Sequence, residues 1–346
     1  MNAAPTPPAA APLQVAVTGG TGFIGSRLCR ALTAAGYRVR TLIRPASDLS
    51  SLADLPDLDL YIGDVTERES LEPLMAGADV VFHIAAKVAD WGPAAAFRAV
   101  NVGGVRHVLD AARDAGVRRV VHLSSASVYG FPGGRDLDED LPFVKRRGDH
   151  YSATKRAGET LALSYHGNGI EVTALRPATV YGPGDHTTTE KIAAALLAGK
   201  FGLVDGGRHL MSPVYIDNLI QLMLRAAVHP AAGGEAFNVA DDGYVTWREF
   251  CTWMAEALGV PPPTLSVPRR VAWPLAVAVD GLARAAGRRE SPLINKYRIR
   301  AVMTDHHFSA VKAVRQLGYR PEIATRDGIE RAIAWYLEAN RPAAAA

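Results

Sequence analysis

Two cysteines in 346 residues, Cys29 and Cys251, leave no disulfide framework and no thiolate metal spacing. Cys29 falls inside a predicted helix, where it reads as a small buried apolar residue. Charge of one sign is also missing. The 38 Lys and Arg stand against 35 Asp and Glu, and the net charge of +3 is spread along the chain. That removes the basic footprint by which a protein holds nucleic acid, so no nucleic-acid partner is expected. No run of about 18 apolar residues occurs, so no transmembrane helix is expected. Ten histidines are scattered. His306-His307 is the one adjacent pair and lacks further ligands at suitable spacing, so no metal is expected. Residues 1–12 (MNAAPTPPAAAP) lack the basic start and apolar centre of a secretory signal. They read as a disordered tail, as does Ala343–Ala346, and a reducing, cytoplasmic setting is expected.

What is present begins at Val15-Ala16-Val17-Thr18-Gly19-Gly20-Thr21-Gly22-Phe23-Ile24-Gly25. An apolar run stops at a glycine cluster and a helical pattern follows at once. Such a turn lets the backbone approach a pyrophosphate, which then faces the unpaired N–H groups of a helix N-terminus. Gly19, Thr21, Gly22, Phe23 and Ile24 are therefore candidate dinucleotide contacts.

Short, nearly continuous apolar strands are predicted at 13–18, 37–43, 58–62, 79–85, 120–123 and 172–175. Helical patterns at 23–35, 69–75, 97–115 and 151–165 lie between them. Continuous apolar strands belong to a parallel sheet covered by helices on both faces. The expectation is an α/β, doubly wound (Rossmann) fold with ligands at the carboxyl ends of the strands. Beyond Tyr181 the alternation breaks. Helices are expected at 191–197, within 214–227, at 245–258 and at 326–338, and a strand at 235–239 is placed to rejoin the sheet. Thr246 with Glu249 three residues on forms a capping box. The expected organisation is a dinucleotide-binding domain over 13–185, with 213–242 returning to it. A smaller, interleaved substrate-binding region is expected from 186–212 and 243–342.

Tyr151 and Lys155 share one face of a helix, one turn apart. A phenol titrates near pH 10 in water, so a neighbouring ammonium is what makes it useful as an acid or base near neutrality. Ser125 stands upstream at the end of a strand. A serine, a Tyr-x-x-x-Lys helix and a glycine turn in one chain point together to hydride-transfer chemistry.

With these residues the sequence resembles the extended short-chain dehydrogenase/reductase family. The motifs that carry the likeness are Thr18 to Gly25, Gly63-Asp64-Val65, Ala85-Ala86, Val100-Asn101-Val102, Ser124 to Gly130, Tyr151 to Lys155 and Arg176 to Asp185. The resemblance implies that Tyr151 is the general acid/base, that Lys155 holds the nicotinamide ribose and lowers the pKa of Tyr151, and that Ser125 orients the substrate oxygen. It implies a helper role for Asn101 near Lys155, with a helix-capping role open beside it. Asp64 and Val65 would meet the adenine, and Ala85, Ala86 and Lys87 would pass the phosphates and ribose. The backbone from Pro177 to Val180 would meet the carboxamide. Ser127, Trp91 and Tyr181 fall on the substrate side.

An NAD site usually carries an acid about 20 residues beyond the glycines. Here Arg44 stands in that place, and a guanidinium suits a 2′-phosphate, so NADP(H) is favoured and NAD(H) stays open. Relatives acting on nucleotide sugars carry an arginine where this chain has Met211, and Arg208 would serve only with a shifted loop. The segments Ala85 to Gly92, Val245 to Phe250 and Asp305 to Ser309 look like the 3β-hydroxysteroid dehydrogenase-like branch. That implies a small apolar substrate, steroid-like or β-keto acyl, with a nucleotide-sugar epimerase or dehydratase and a non-catalytic dinucleotide sensor as alternatives. The apolar segment 271–286, flanked by arginines, reads either as a helix over the substrate cleft or as a peripheral membrane contact. The family also implies a homodimer.

Overall fold

A computed structural model describes residues 13–143, 149–241, 243–288, 290–292 and 294–341. The tails read at 1–12 and 343–346 lie outside them. Strands β1 (Gln14–Thr18), β2 (Arg38–Ile43), β3 (Asp59–Ile62), β4 (Val80–His83) and β5 (Arg119–Leu123) fall where apolar runs predict them. A short strand β6 (Gly134–Leu137) precedes β7 (Glu171–Pro177). The later strands are β8 (Thr179–Tyr181), β9 (Leu203–Val204), β10 (Leu210–Met211), β11 (Pro213–Tyr215), β12 (Ala236–Val239), β13 (Val245–Thr246), β14 (Ser266–Val267) and β15 (His306–Phe308).

Seven strands form one parallel sheet in the order β12-β7-β5-β4-β1-β2-β3. The chain leaves β1 toward β2 and β3, then returns to β1's other side with β4. That reversal opens a crevice beyond the carboxyl ends of β1 and β4, where such sheets bind ligands. The strand expected near 235–239 does rejoin the sheet, as β12 beside β7.

Helices cover both faces, as the unbroken apolar strands require. On one side Val15 and Val17 pack with α1 (Phe23–Ala34), through Leu28, Cys29 and Leu32. On the other, Ala16 and Val81 pack with α2 (Glu72–Met75) and with Val105, Val108 and Leu109. The predicted helix at 97–115 is composite. It begins earlier as α3 (Ala94–Arg98), widens into a π-helical turn over Ala99–Gly104, and continues as α4 (Val105–Asp114). The low helix propensity of Gly103-Gly104 and the side-chain bonds of Asn101 account for the turn.

Helix α5 (His150–Ser164) carries the Tyr-x-x-x-Lys motif. Strand β7 runs two residues past its expected end because Arg176 is buried and neutralised by Glu159 at 2.6 Å. Beyond it come α6 (Thr189–Leu197), α7 (Ile216–Val228), α8 (Trp247–Leu258), α9 (Arg269–Ala285), α10 (Lys296–Val302), α11 (Val311–Leu317) and α12 (Thr325–Ala339). The Thr246–Glu249 capping box opens α8 as predicted. Among the described residues no helix is long and apolar enough to cross a membrane.

Candidate active site

The crevice is a cavity of about 1180 Å³ along the carboxyl ends of the strands. Its floor is the glycine turn between β1 and α1. Gly19 has φ +81°, and a side chain there would meet the Ala85 backbone at 2.9 Å. A Cβ on Gly25 would lie 2.0 Å from the Gly19 carbonyl oxygen, so the turn closes only on glycine. Helix α1 begins at Gly22 with no side-chain cap and no acid in its first turn. Its leading N–H groups are thus left for an anion, and the residues present fit a dinucleotide pyrophosphate.

Around this floor the cavity is lined by Gly19, Thr21, Gly22, Phe23, Ile24, Arg44, Asp64, Val65, Ala85, Ala86, Lys87, Pro177 and Val180, which were all expected as cofactor contacts. Arg44 is exposed at the end of β2. Arg40 is committed elsewhere, donating to the Ala76 carbonyl at 2.7 Å. One carboxylate oxygen of Asp64 accepts from the Thr66 backbone N–H and hydroxyl, each at 2.8 Å.

Ser125, Tyr151 and Lys155 all line the same cavity. Ser125 caps a single turn after β5, its hydroxyl accepting from the Ser127 N–H at 3.1 Å. Burial pushes the Tyr151 phenol up to about 12, against a hydrogen bond from Ser125 that pulls it down. Asp149, the N-cap of α5, raises it further. Lys155 is not among the groups acting on Tyr151. Its ammonium donates to the Leu123 carbonyl at 2.5 Å, and burial draws it down to about 8 against the nearby Glu159.

Asn101 does not line the cavity and does not cap a helix. It sits in the π-helical turn and holds the Lys87 backbone from both sides, accepting from its N–H at 2.7 Å and donating to its carbonyl at 3.1 Å. Its amide also reaches Thr154 Oγ1, one residue before Lys155, at 3.1 Å.

Two of the three residues expected on the substrate side do not line this cavity. Tyr181 is 1% exposed, packed against Tyr215 and Phe250, with its hydroxyl on the Thr325 carbonyl. Trp91 donates to the Arg288 carbonyl, lies under Arg284 and borders a separate small polar cavity. Their neighbours in distant parts of the chain, which the sequence pattern does not reveal, hold both rings outside the main cavity, and Tyr151 borders the small cavity beside Trp91 as well. Ser127 does line the main cavity.

The rest of the cavity lining is formed by residues that the sequence pattern does not single out as substrate contacts. It includes Phe131, Met211, Tyr297, Ala301, Val302, His306 and Phe308, with Trp247 and Arg298 at its margin. Parallel pairing of β6 with β15 brings His306 and Phe308 there. Phe131 is held at φ +59° and meets Tyr297 edge-on at 5.0 Å, while Tyr297 meets Tyr151 at 6.5 Å. A non-glycine residue in the left-handed region beside a cavity was the signal available, and it needs a structure to be seen. Arg298 is tied to Asp90 at 2.6 Å. Arg208 lies outside the cavity, pairing with Asp205.

Segment 271–286 does not cover the cavity. No residue of α9 lines it, because Asp280 turns inward to Arg284 and Lys296 and binds α9 to α10 instead.

A model of the NAD dependent epimerase/dehydratase family matches residues 15–240. A 3-beta-hydroxysteroid dehydrogenase of Mycolicibacterium neoaurum is 31% identical over 341 residues, 94% of this chain and 92% of that protein. A 4-hydroxy-2-methyl-3-oxo-4-farnesyl-3,4-dihydroquinoline-1-oxide ketoreductase of Stigmatella aurantiaca is 33% identical over 320 residues, 91% and 94% of the two chains. Among solved structures, DesIV (dTDP-glucose 4,6-dehydratase) from Streptomyces venezuelae with NAD and TYD bound is similar at a TM-score of 0.77. It is 26% identical, over 94% of this chain and 97% of that one.

Proposed function

The chain belongs to the NAD dependent epimerase/dehydratase family, and from that premise we propose that it interconverts a secondary alcohol and a ketone on an apolar, steroid-like or β-keto acyl substrate. The observation that carries the reading is the convergence of Ser125, Tyr151 and Lys155 at the junction of the dinucleotide floor and an apolar aromatic wall. The nicotinamide dinucleotide, when bound, supplies or takes the hydride. In reduction Tyr151 gives its proton to the substrate oxygen, and Ser125 holds that oxygen. A phenol pushed up to about 12 is protonated at neutral pH and ready to donate. Lys155 holds the ribose, and Asn101 fixes the Lys87 loop that passes it.

Two curated relatives named as a steroid dehydrogenase and a ketoreductase support the substrate class. The buried apolar Met211 at the nucleotide-sugar arginine position, with Arg208 outside the cavity, weighs against a sugar diphosphate. Arg44, exposed at the rim, favours NADP(H) over NAD(H). Val271, Leu275 and Leu282 stand exposed on α9 beside Arg269 and Arg270, which supports a peripheral contact with an anionic membrane surface.

The test is Tyr151→Phe with NADPH binding checked. Turnover should fall by about 10²- to 10⁴-fold with binding retained, and undiminished turnover overturns the assignment. A screen of NAD(H) and NADP(H) against sterols, long-chain β-keto acids and UDP-sugars identifies the substrate. Turnover of a UDP-sugar alone would establish the epimerase alternative instead.

A further inference from the structure

Thr18, His83 and His122 stand in register across β1, β4 and β5, one residue from the carboxyl end of β5 and at the very ends of β1 and β4. They are 0%, 1% and 3% exposed. Thr18 and His83 share a hydrogen bond of 2.8 Å between Oγ1 and Nδ1, and the His83 and His122 rings lie 5.4 Å apart. This polar row crosses the centre of an apolar sheet from beneath the glycine turn to the strand whose Leu123 carbonyl receives the Lys155 ammonium.

His83 Nε2, both ring nitrogens of His122 and the hydroxyl of Ser124 are buried there without a protein partner. Buried polar atoms are paired almost without exception, and internal water is the usual remedy, provided that two to four polar groups surround it. Here four such atoms gather at adjacent strand ends beside one ammonium.

We propose that His122 is a positioning residue of the reaction site: with His83 and Ser124 it holds internal water that solvates the Lys155 ammonium and keeps it charged. This rests on the role of Lys155 given above. The charged and titratable groups facing Lys155 are Glu159 on its own helix and the two imidazoles on the sheet, with Arg176 neutralised by Glu159. Burial holds His83 down to about 3 and His122 well below the usual histidine range. Both rings are thus neutral at working pH. His122 offers one donor and one acceptor to water, His83 offers its Nε2 alone because Nδ1 is held by Thr18, and neither ring adds charge.

The probe is NADPH, its binding followed by fluorescence from about pH 6 to about pH 10 in the parent protein, His122→Leu and His122→Asn. In the parent, affinity should fall as the pH rises through about 8, where Lys155 loses its proton. His122→Leu removes the water's partners and should move that midpoint down by about one unit, a tenfold change in proton affinity. His122→Asn, which keeps a donor and an acceptor, should restore it.

A Leu midpoint coincident with the parent, or equal shifts in both variants, overturns the proposal. A parental affinity that is flat with pH overturns the Lys155 role beneath it. Turnover in Tyr151→Phe is read separately: if that variant is inert while the Leu midpoint stays put, only the His122 role falls. If neither variant folds, a crystal structure of the parent decides. Ordered water bonded to a His122 nitrogen and to Ser124 Oγ supports the proposal, and dry contact around the rings overturns it.

Discussion

Acidification from about pH 7.5 to about pH 5 should loosen this fold through His83 and His122 before the paired aspartates take part. Burial holds both rings far below the unperturbed value, which is near 6.5 in an unfolded chain. The unfolded state therefore binds more protons below about pH 6.5. Stability is complete above that pH and is lost progressively as the pH falls toward the folded values. At about pH 5 each ring is neutral in the fold but charged in the unfolded chain, a cost of about 2 kcal/mol per ring and about 4 kcal/mol together. Lys155 adds nothing to the change, because with a folded value of about 8 it is charged in both states over most of this range. The paired carboxylates of Asp90, Asp280 and Asp305 are held below their usual range, so their contribution persists until more acid pH. For a chain of 346 residues, about 4 kcal/mol lowers Tm by roughly 5 °C. Thermal melts followed by circular dichroism at the two pH values and constant ionic strength measure it. His122→Asn should recover about half of the drop. Coincident melts of the parent at both pH values, or an undiminished drop in the variant, would refute the reasoning.

Gly25→Ala should abolish NADPH binding by fluorescence titration, because the new methyl would stand 2.0 Å from the Gly19 oxygen and force the turn open. Arg44→Gln should weaken NADPH binding by about tenfold while leaving NADH within about twofold, as loss of one exposed charge pair at a phosphate predicts. Glu159→Gln leaves the Arg176 guanidinium buried and uncompensated, so urea unfolding should report a loss of about 3 to 5 kcal/mol.

The dinucleotide floor was legible because its chemistry is written in contiguous residues. A turn that only glycine closes, an uncapped helix start and an i, i+4 Tyr–Lys pair each fit within one short stretch. The Thr246–Glu249 box was legible for the same reason. The substrate wall was not. His306 and Phe308 come beside Phe131 through the pairing of β6 with β15, and Tyr297 of α10 packs on Phe131; neither strand is long enough to show a pattern. Tyr181 and Trp91 show the converse. An aromatic near a motif looks functional, but the packing that decides its direction comes from Tyr215, Phe250 and Arg284 in distant parts of the chain. The break in the helix at 97–115 was hidden because one extra residue per turn barely disturbs an apolar pattern over so short a span.

That extra residue sets the angular phase of the whole rod. An α-helix advances about 100° per residue, and a π-helical turn absorbs one residue without advancing the face that follows. Upstream, the rod is timed to aim Asn101 at the Lys87 backbone; downstream, it is timed to aim Val105, Val108 and Leu109 at the sheet. Deleting any one residue of Ala99–Gly104 would restore ordinary winding and set these two timings about 100° apart. Either the loop beside the reaction site or the core contact would then lose its partner. Substitutions here are local events, but a change in length is felt at both ends.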